Sequence, residues 1–244
     1  MMPNLCLTVY DRYDLLKKFF DSIDYPIREI CLIVNSEKHI DDNILSYIKN
    51  KFPQTDIIIP KFNMGVSASW NFFINRYINR DGEVYISQDD IQFNGGSLAR
   101  SVELINGELN HSDCILGFSW GFFNLKKSGF EKLGYFDENF YPAYYEDADY
   151  CYRVKLHNDI SSEKFSFGFL DRNWFIHEGS ASRLNEDRTK YNTEIGIAAN
   201  YYVEKWGGFQ NSEKFINPYN SNILSYKNWI SNYKLRHETE FRII

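Results

Sequence analysis

Short apolar runs alternate with segments of helical period along the first hundred residues. Residues 5–10 read as a strand, 13–22 carry Leu15, Leu16, Phe19 and Phe20 at helical spacing followed by Ile23, and 29–34 read as the next strand. That is one strand–helix–strand unit. The pattern continues with a helix over 41–50, a strand over 56–59, a helix over 67–79 and a strand over 83–87. Alternation of this kind predicts an α/β fold in which helices wrap a mostly parallel central sheet.

The second half is less regular. It predicts a helix from residue 96, a strand over 115–125, a helix over 146–156, strands near 165–169 and 174–176, and a helical tail from about residue 187. The expected organisation is one main domain over 1–208, with halves at 1–95 and 96–208, and a helical C-terminal extension over 209–244. No internal repeat or low-complexity linker interrupts it.

Polar residues gather where the predicted strands end. In open α/β sheets ligands bind outside the carboxyl ends of the strands, so Thr8–Arg12, Asn35-Ser36, Asn63–Gly65 and Gln88–Asp90 are expected to converge on one crevice. Asp89 and Asp90 follow the apolar run Val84-Tyr85-Ile86, a position where carboxylates can hold Mg²⁺ or Mn²⁺ together with phosphate oxygens; an isolated acidic pair also reads as an ordinary turn. Glu146 and Asp147 stand near a helix start, whose dipole favours an ionised carboxylate able to accept a proton from a hydroxyl. Asp149 and Arg153 read as an i,i+4 surface ion pair. His177 ends another apolar strand and opens a small-residue loop containing Ser180 and Ser182, where a neutral imidazole can ligate a metal. His39, His111, His157 and His237 read as ordinary. The stretch Asn63-Met-Gly65-Val-Ser-Ala-Ser-Trp-Asn71 combines a glycine turn with a helix start suited to phosphate or ribose, and Trp120 is a candidate sugar platform.

Composition narrows the partners. The 244-residue chain carries 27 Lys and Arg against 33 Asp and Glu, a formal charge of −6 that argues against nucleic acid. No apolar run approaches the roughly 20 residues needed to span a bilayer, so at most peripheral membrane contact is expected. The N-terminal sequence shows no targeting pattern, and a cytoplasmic location is the expectation. Cys6, Cys31, Cys114 and Cys151 stand singly and read as reduced core thiols.

Taken in order, these segments resemble family 2 and related GT-A glycosyltransferases over about residues 4–208. Leu7-Thr-Val-Tyr-Asp-Arg12 is similar to the family's first strand and T-x-N-R turn, Asn63-x-Gly65-x5-Asn71 to its N-x-G-x5-N segment, and Gln88-Asp-Asp90 to its D-x-D. Gly134-x-Phe-Asp-Glu138 with Glu146-Asp147-x-Asp149-x3-Arg153 resembles its G-x-F-D-E and E-D-x-D-x3-R segments, and His177-x2-Ser180-x-Ser182 its late histidine loop. Tyr191 and the run from Asn200 to Gly207 also look familial. Gln88, Asp11 and Asn35 depart from the family pattern.

The resemblance implies a GT-A, Rossmann-like fold and an inverting glycosyltransferase of glycan biosynthesis. It would use a nucleotide-diphosphate sugar as donor, Mn²⁺ or Mg²⁺ as cofactor, and a glycan, lipid-linked or protein-linked hydroxyl as acceptor. It also implies that Thr8, Tyr10, Arg12, Asn35, Asn63, Gly65, Asn71, Gln88 and Asp89 line the donor pocket, that Asp90 and His177 hold the metal, that Asp147 is the base, and that Trp120 and Glu146 face the acceptor. Two rivals stay open: a catalytically silent sugar-binding protein of the same fold, favoured by Gln88 and Asn35, and a sugar nucleotidyltransferase, disfavoured by the glycine-free loop after the first strand. The tail with Trp229, Tyr233, Lys234 and Arg236 is expected to pack on the domain, with a homo-oligomer as an alternative use.

Overall fold

The computed structural model describes residues 1–35, 40–177, 188–221 and 239–244, and within these not the side chains of 188–191. Ser36, His39, Ser180, Ser182, the Tyr191 side chain, Trp229, Tyr233, Lys234, Arg236 and His237 lie outside the described residues.

Strands β1 (Leu5–Val9), β2 (Ile30–Val34), β3 (Thr55–Pro60) and β4 (Glu83–Gln88) form the parallel part of the sheet, in the spatial order β3-β2-β1-β4. Helices α1 (Tyr13–Asp21), α2 (Asp42–Lys51) and α3 (Gly65–Asp81) make the crossovers. Alternate strand residues serve opposite faces. Leu5, Leu7 and Val9 join Leu16, Phe19, Phe20 and Ile48 in one core, while Cys6, Cys31 and Ile33 join Trp70, Phe73 and Ile74 in another. A strand buried on both faces must be apolar throughout, which is why β2 reads Ile-Cys-Leu-Ile-Val without alternation.

The sheet continues with strands of other direction. After β5 (Ile91–Phe93) and α4 (Ser97–Asn106), β6 (Cys114–Gly117) and β7 (Ser119–Lys126) form an antiparallel hairpin, and β7 pairs antiparallel with β4. The single strand expected over 115–125 is therefore two. Its register shifts between Leu116 and Gly117, where the rings of Phe122 and Phe175 pack so closely that a Cβ on Gly117 would lie 2.7 Å from each. Helix α5 (Lys127–Leu133), which the sequence pattern did not predict, follows directly.

Helix α6 (Glu146–Ile160) and strand β8 (Phe167–Phe169) come next, β8 extending the sheet beside β6. Strand β9 (Phe175–His177) pairs antiparallel with β5 in a separate two-stranded ribbon. Helix α7 (Arg188–Trp206) packs on α6 through Tyr202, Trp206, Ala148 and Tyr152. The expected helical extension is corrected at its end: β10 (Phe241–Ile243) pairs antiparallel with β3 and closes that edge of the sheet. Among the described residues no helix is long and apolar enough to cross a membrane.

Candidate active site

The carboxyl ends of β1 to β4 open onto a cleft of about 610 Å³, completed by the β6–β7 turn, the start of α6 and one side chain of α7. Three groups of residues build it.

The first is an acid–imidazole corner. The chain turns at Asp89-Asp90 between β4 and β5, and the β5–β9 ladder sets Ile91 opposite His177. That register brings His177 Nε2 to 3.3 Å from Asp90 Oδ2. Asp90 is only 7% exposed, and its Oδ1 has no hydrogen-bond partner among the described residues. Burial, and then the charge of Asp90, push the Asp89 carboxyl well above the usual carboxylate range. Among the described residues no group of three or more His, Cys, Asp or Glu gathers as a metal cage. A buried carboxylate oxygen without a partner beside a ring nitrogen nevertheless fits Mn²⁺ or Mg²⁺, which commonly take few protein ligands and complete their shell with phosphate and water oxygens.

The second group is a carboxyl pair at the start of α6. Tyr144 and Tyr145 both adopt left-handed backbone angles, φ +81° and +67°, and so swing the chain into α6 with Glu146 and Asp147 in its first turn. Such a conformation costs about 1–3 kcal/mol per non-glycine residue, and it is held where surrounding contacts impose it. Burial, and then the charge of Asp147, raise the Glu146 carboxyl from its ordinary 4.5 to about 8, so it holds a proton at neutral pH. Its Oε2 is unpartnered. Burial raises Asp147 as well, but its carboxylate accepts the Ala148 N–H at 2.8 Å, which favours the ionised form. The start of α6 thus pairs Glu146, protonated at neutral pH, with a second carboxyl whose burial is opposed by backbone N–H groups.

The third group is the floor at the start of α3. Gly65 has φ +80°, and a Cβ there would fall 2.8 Å from the Pro142 carbonyl oxygen. Only glycine lets the 141–145 loop approach so closely. The Val66 N–H donates to that same carbonyl at 2.8 Å, and Asn63 Oδ1 accepts the Gly65 N–H at 2.8 Å. Thr8, Tyr10, Asn35, Asn63, Gly65, Gln88 and Asp89 all line the cleft, as do Asp90, His177, Trp120, Glu146 and Asp147.

Four of the expected site residues have structural partners of their own, and Asn71 among them lies away from the cleft. Asn71 is not at the cleft: its amide donates to the Phe136 carbonyl and the Glu138 carboxylate and its oxygen accepts the Phe136 N–H, pinning the 134–138 segment to α3. Arg12 grips Asp14 at 2.7 and 2.8 Å, and its charge opposes the rise of the Asp89 carboxyl. Asn35 lines the cleft with its side chain engaged, donating to Ser69 Oγ at 2.8 Å and accepting the Met64 N–H at 3.1 Å, so it organises α3. Trp120 is 6% exposed and packs among Trp70, Phe123, Phe136, Tyr150 and Phe167, offering the cleft a wall more than an open platform.

The Asp149–Arg153 pair forms at 2.9 Å but is buried, where a surface pair was expected. Lys205 of α7 reaches Asp149 at 2.6 Å and Asp137 at 2.7 Å, Trp206 donates to Asp149 at 2.8 Å, and Tyr201 donates to Asp137 at 2.7 Å. Burial alone would raise Asp149; the charges of Lys205 and Arg153 outweigh it and hold the carboxyl low. Tyr144 and Tyr145, candidates with Trp120 and Phe122 for a sugar platform, line the cleft, and Phe118, Tyr141, Pro142, Ala143 and Glu194 line it without having stood out in the sequence.

No protein-family model matches the chain. A search of curated proteins finds the low-salt glycan biosynthesis hexosyltransferase Agl10 of Haloferax volcanii, 24% identical over 202 residues, covering 70% of this chain. The chain spans 58% of that relative's length. Among solved structures it is similar to residues 1–349 of S. aureus TarS in complex with UDP, with TM-score 0.52 and 14% identity over 87% of this chain and 74% of that one. It is also similar to GalNAc-T7 with UDP, GalNAc and Mn²⁺, with TM-score 0.54 and 12% identity over 70% of this chain and 42% of that one. Among the described residues, a mostly parallel sheet flanked by seven helices, open at the carboxyl ends of β1 to β4, is the GT-A, Rossmann-like fold of these glycosyltransferases.

Proposed function

We propose that this chain is a glycosyltransferase that moves a hexosyl unit from a nucleotide-diphosphate sugar to an acceptor hydroxyl, with inversion at the anomeric carbon. One observation carries the reading: a single cleft is lined by both the Asp90–His177 corner and the Glu146–Asp147 pair. The likeness in fold to TarS and GalNAc-T7 and the sequence likeness to Agl10 support it.

Thr8, Tyr10 and Asn63, at the ends of the parallel strands, border the space for the nucleoside, and Gly65 keeps the floor low beneath the diphosphate. Asp90 and His177 would hold Mn²⁺ or Mg²⁺, which when bound neutralises charge on the departing diphosphate. Asp147, ionised at the start of α6, accepts the proton of the acceptor hydroxyl as its oxygen attacks the face of the sugar opposite the leaving group. Glu146 holds its proton and donates a hydrogen bond to a sugar oxygen. Trp120 and the 141–145 loop exclude water from the reacting centre. The acceptor is a glycan, lipid-linked or protein-linked hydroxyl. No covalent intermediate on the enzyme is required.

The test is a thermal-shift panel of UDP-, GDP-, CMP- and dTDP-sugars with and without Mn²⁺, on wild type, Asp90→Ala and Asp147→Asn. One donor should stabilise wild type and Asp147→Asn in the presence of Mn²⁺, and Asp90→Ala should lose the metal-dependent part. Transfer with that donor should fall about 10²–10⁴-fold in Asp147→Asn, the usual contribution of a general base. Stabilisation by no donor, or an Asp147→Asn enzyme of full activity, overturns the reading.

A further inference from the structure

The hairpin between β6 and β7 projects Phe118 into the cleft beside the acid–imidazole corner. The ring of His177 lies stacked on it, with ring centroids 4.7 Å apart and planes inclined by 27°. The guanidinium of Arg172 lies 4.4 Å from the centroid of the same Phe118 ring. Arg172 stands in the short 3-10 turn Arg172–Trp174 that leads directly into β9. One stretch of chain therefore sends out a cation and an imidazole five positions apart, and both engage one aromatic ring from the hairpin.

The hairpin is built to put the ring there. Ser119 adopts φ +51°, the Gly121 N–H donates to the Phe118 carbonyl at 2.9 Å, and the register shift at Leu116/Gly117 lets the tip depart from the sheet. A histidine side chain at a strand end has two free torsions. The Asp90 contact at 3.3 Å restrains only its Nε2 edge, and the stack restrains the plane of the ring.

The geometry points to Phe118, backed by Arg172, as a positioning residue that fixes the plane of the His177 imidazole so that Nε2 faces the Asp90 carboxylate and any cation held between them. The inference rests on the metal reading above and adds to it an apolar residue 59 positions earlier in the chain that acts through His177. Aromatic contacts of this kind contribute about 0.5–1.5 kcal/mol beyond burial, so loss of the ring should weaken cation binding about two- to tenfold.

The experiment titrates Mn²⁺ into the full chain with saturating UDP or GDP, whichever stabilises the wild type, and reads bound metal by the loss of the free-ion paramagnetic resonance signal. Phe118→Leu keeps apolar volume and removes the ring; Phe118→Met is the substitute if that protein does not fold. Phe118→Tyr keeps the ring, Arg172→Gln removes the outer cation, and His177→Ala removes the imidazole. The expected result is weakened Mn²⁺ binding in Phe118→Leu, recovery to within about twofold in Phe118→Tyr, a smaller loss in Arg172→Gln, and metal-free nucleotide binding unchanged throughout. Wild-type Mn²⁺ affinity in Phe118→Leu alongside a loss in His177→Ala overturns the positioning role and leaves the metal reading standing. Mn²⁺ binding by His177→Ala equal to wild type overturns the metal reading, and the positioning role with it.

Discussion

Replacing Glu146 by glutamine exchanges a buried carboxyl for a neutral group of the same shape, and the consequence depends on pH in a way the structure specifies. The side chain is 7% exposed, its Oε2 lacks a partner, and burial together with the neighbouring Asp147 raises its pKa from 4.5 to about 8. The native protein therefore holds a proton that the unfolded chain releases between these two values. Stability is fully present below about pH 4.5, declines as pH rises through the window, and has lost the whole contribution above about pH 8. At about 1.4 kcal/mol for each tenfold change, the interval from 4.5 to about 8 sets a ceiling of about 5 kcal/mol. Local relaxation and water at the cleft mouth reduce this, so about 2–4 kcal/mol is expected. Glutamine cannot ionise and escapes the penalty. Thermal unfolding of wild type and Glu146→Gln, without nucleotide or metal, should give coincident midpoints near about pH 5 and a variant more stable by about 5–15 °C near about pH 9. Apart from Asp147, whose charge acts on position 146, the other titrating groups are common to both proteins and drop out of the difference. Midpoints that stay parallel from low to high pH would show the native carboxyl already ionised, and the argument for a neutral acid beside Asp147 would fail.

The buried cation gives a second expectation: Lys205→Met leaves Asp137 without its cationic partner and Asp149 with only Arg153, so urea unfolding should show a loss of about 3–5 kcal/mol. A loss below about 1 kcal/mol would mean that water or protonation compensates the carboxylates. Gly65→Ala combines a left-handed backbone with a Cβ 2.8 Å from the Pro142 carbonyl, so it should cost about 1–3 kcal/mol and lift the 141–145 loop from the floor. Calorimetry should then show nucleotide binding weakened at least about tenfold, and unchanged binding would show that the floor does not set the pocket.

Much of the parallel half of the fold was legible because strands β1 to β4 are apolar runs that stop at polar residues, and the same stops mark the cleft. Asp90, His177 and Asp147 stood out for this reason, each at the end or the beginning of an element. What the sequence could not show is that His177 meets Asp90, because their proximity depends on a β5–β9 ladder joining segments more than eighty positions apart. Motif spacing also failed to separate chemistry from architecture. Asn71, Asp149 and Arg153 occupy motif positions as firmly as Asp147 does, yet they bind other parts of the protein. Helix α5 escaped notice because seven residues with a glycine in their midst carry too little periodicity, and Gly129 is there because Asp113 and Phe165 press against it. Phe118 and Glu194 look in sequence like any other core aromatic and helix-surface carboxylate.

The Lys205 hub bears on how this protein can be recombined with others. It joins the segment containing Asp137, the first turn of α6 and the last turn of α7, three stretches distant in sequence, through one ammonium group. A chimaera that imports α7 from another protein of this fold without the matching acidic partners would strand charges inside the fold. The stretch that keeps the hub intact therefore runs from Gly134 to Trp206, and crossovers placed outside it should yield folded hybrids where crossovers within it do not.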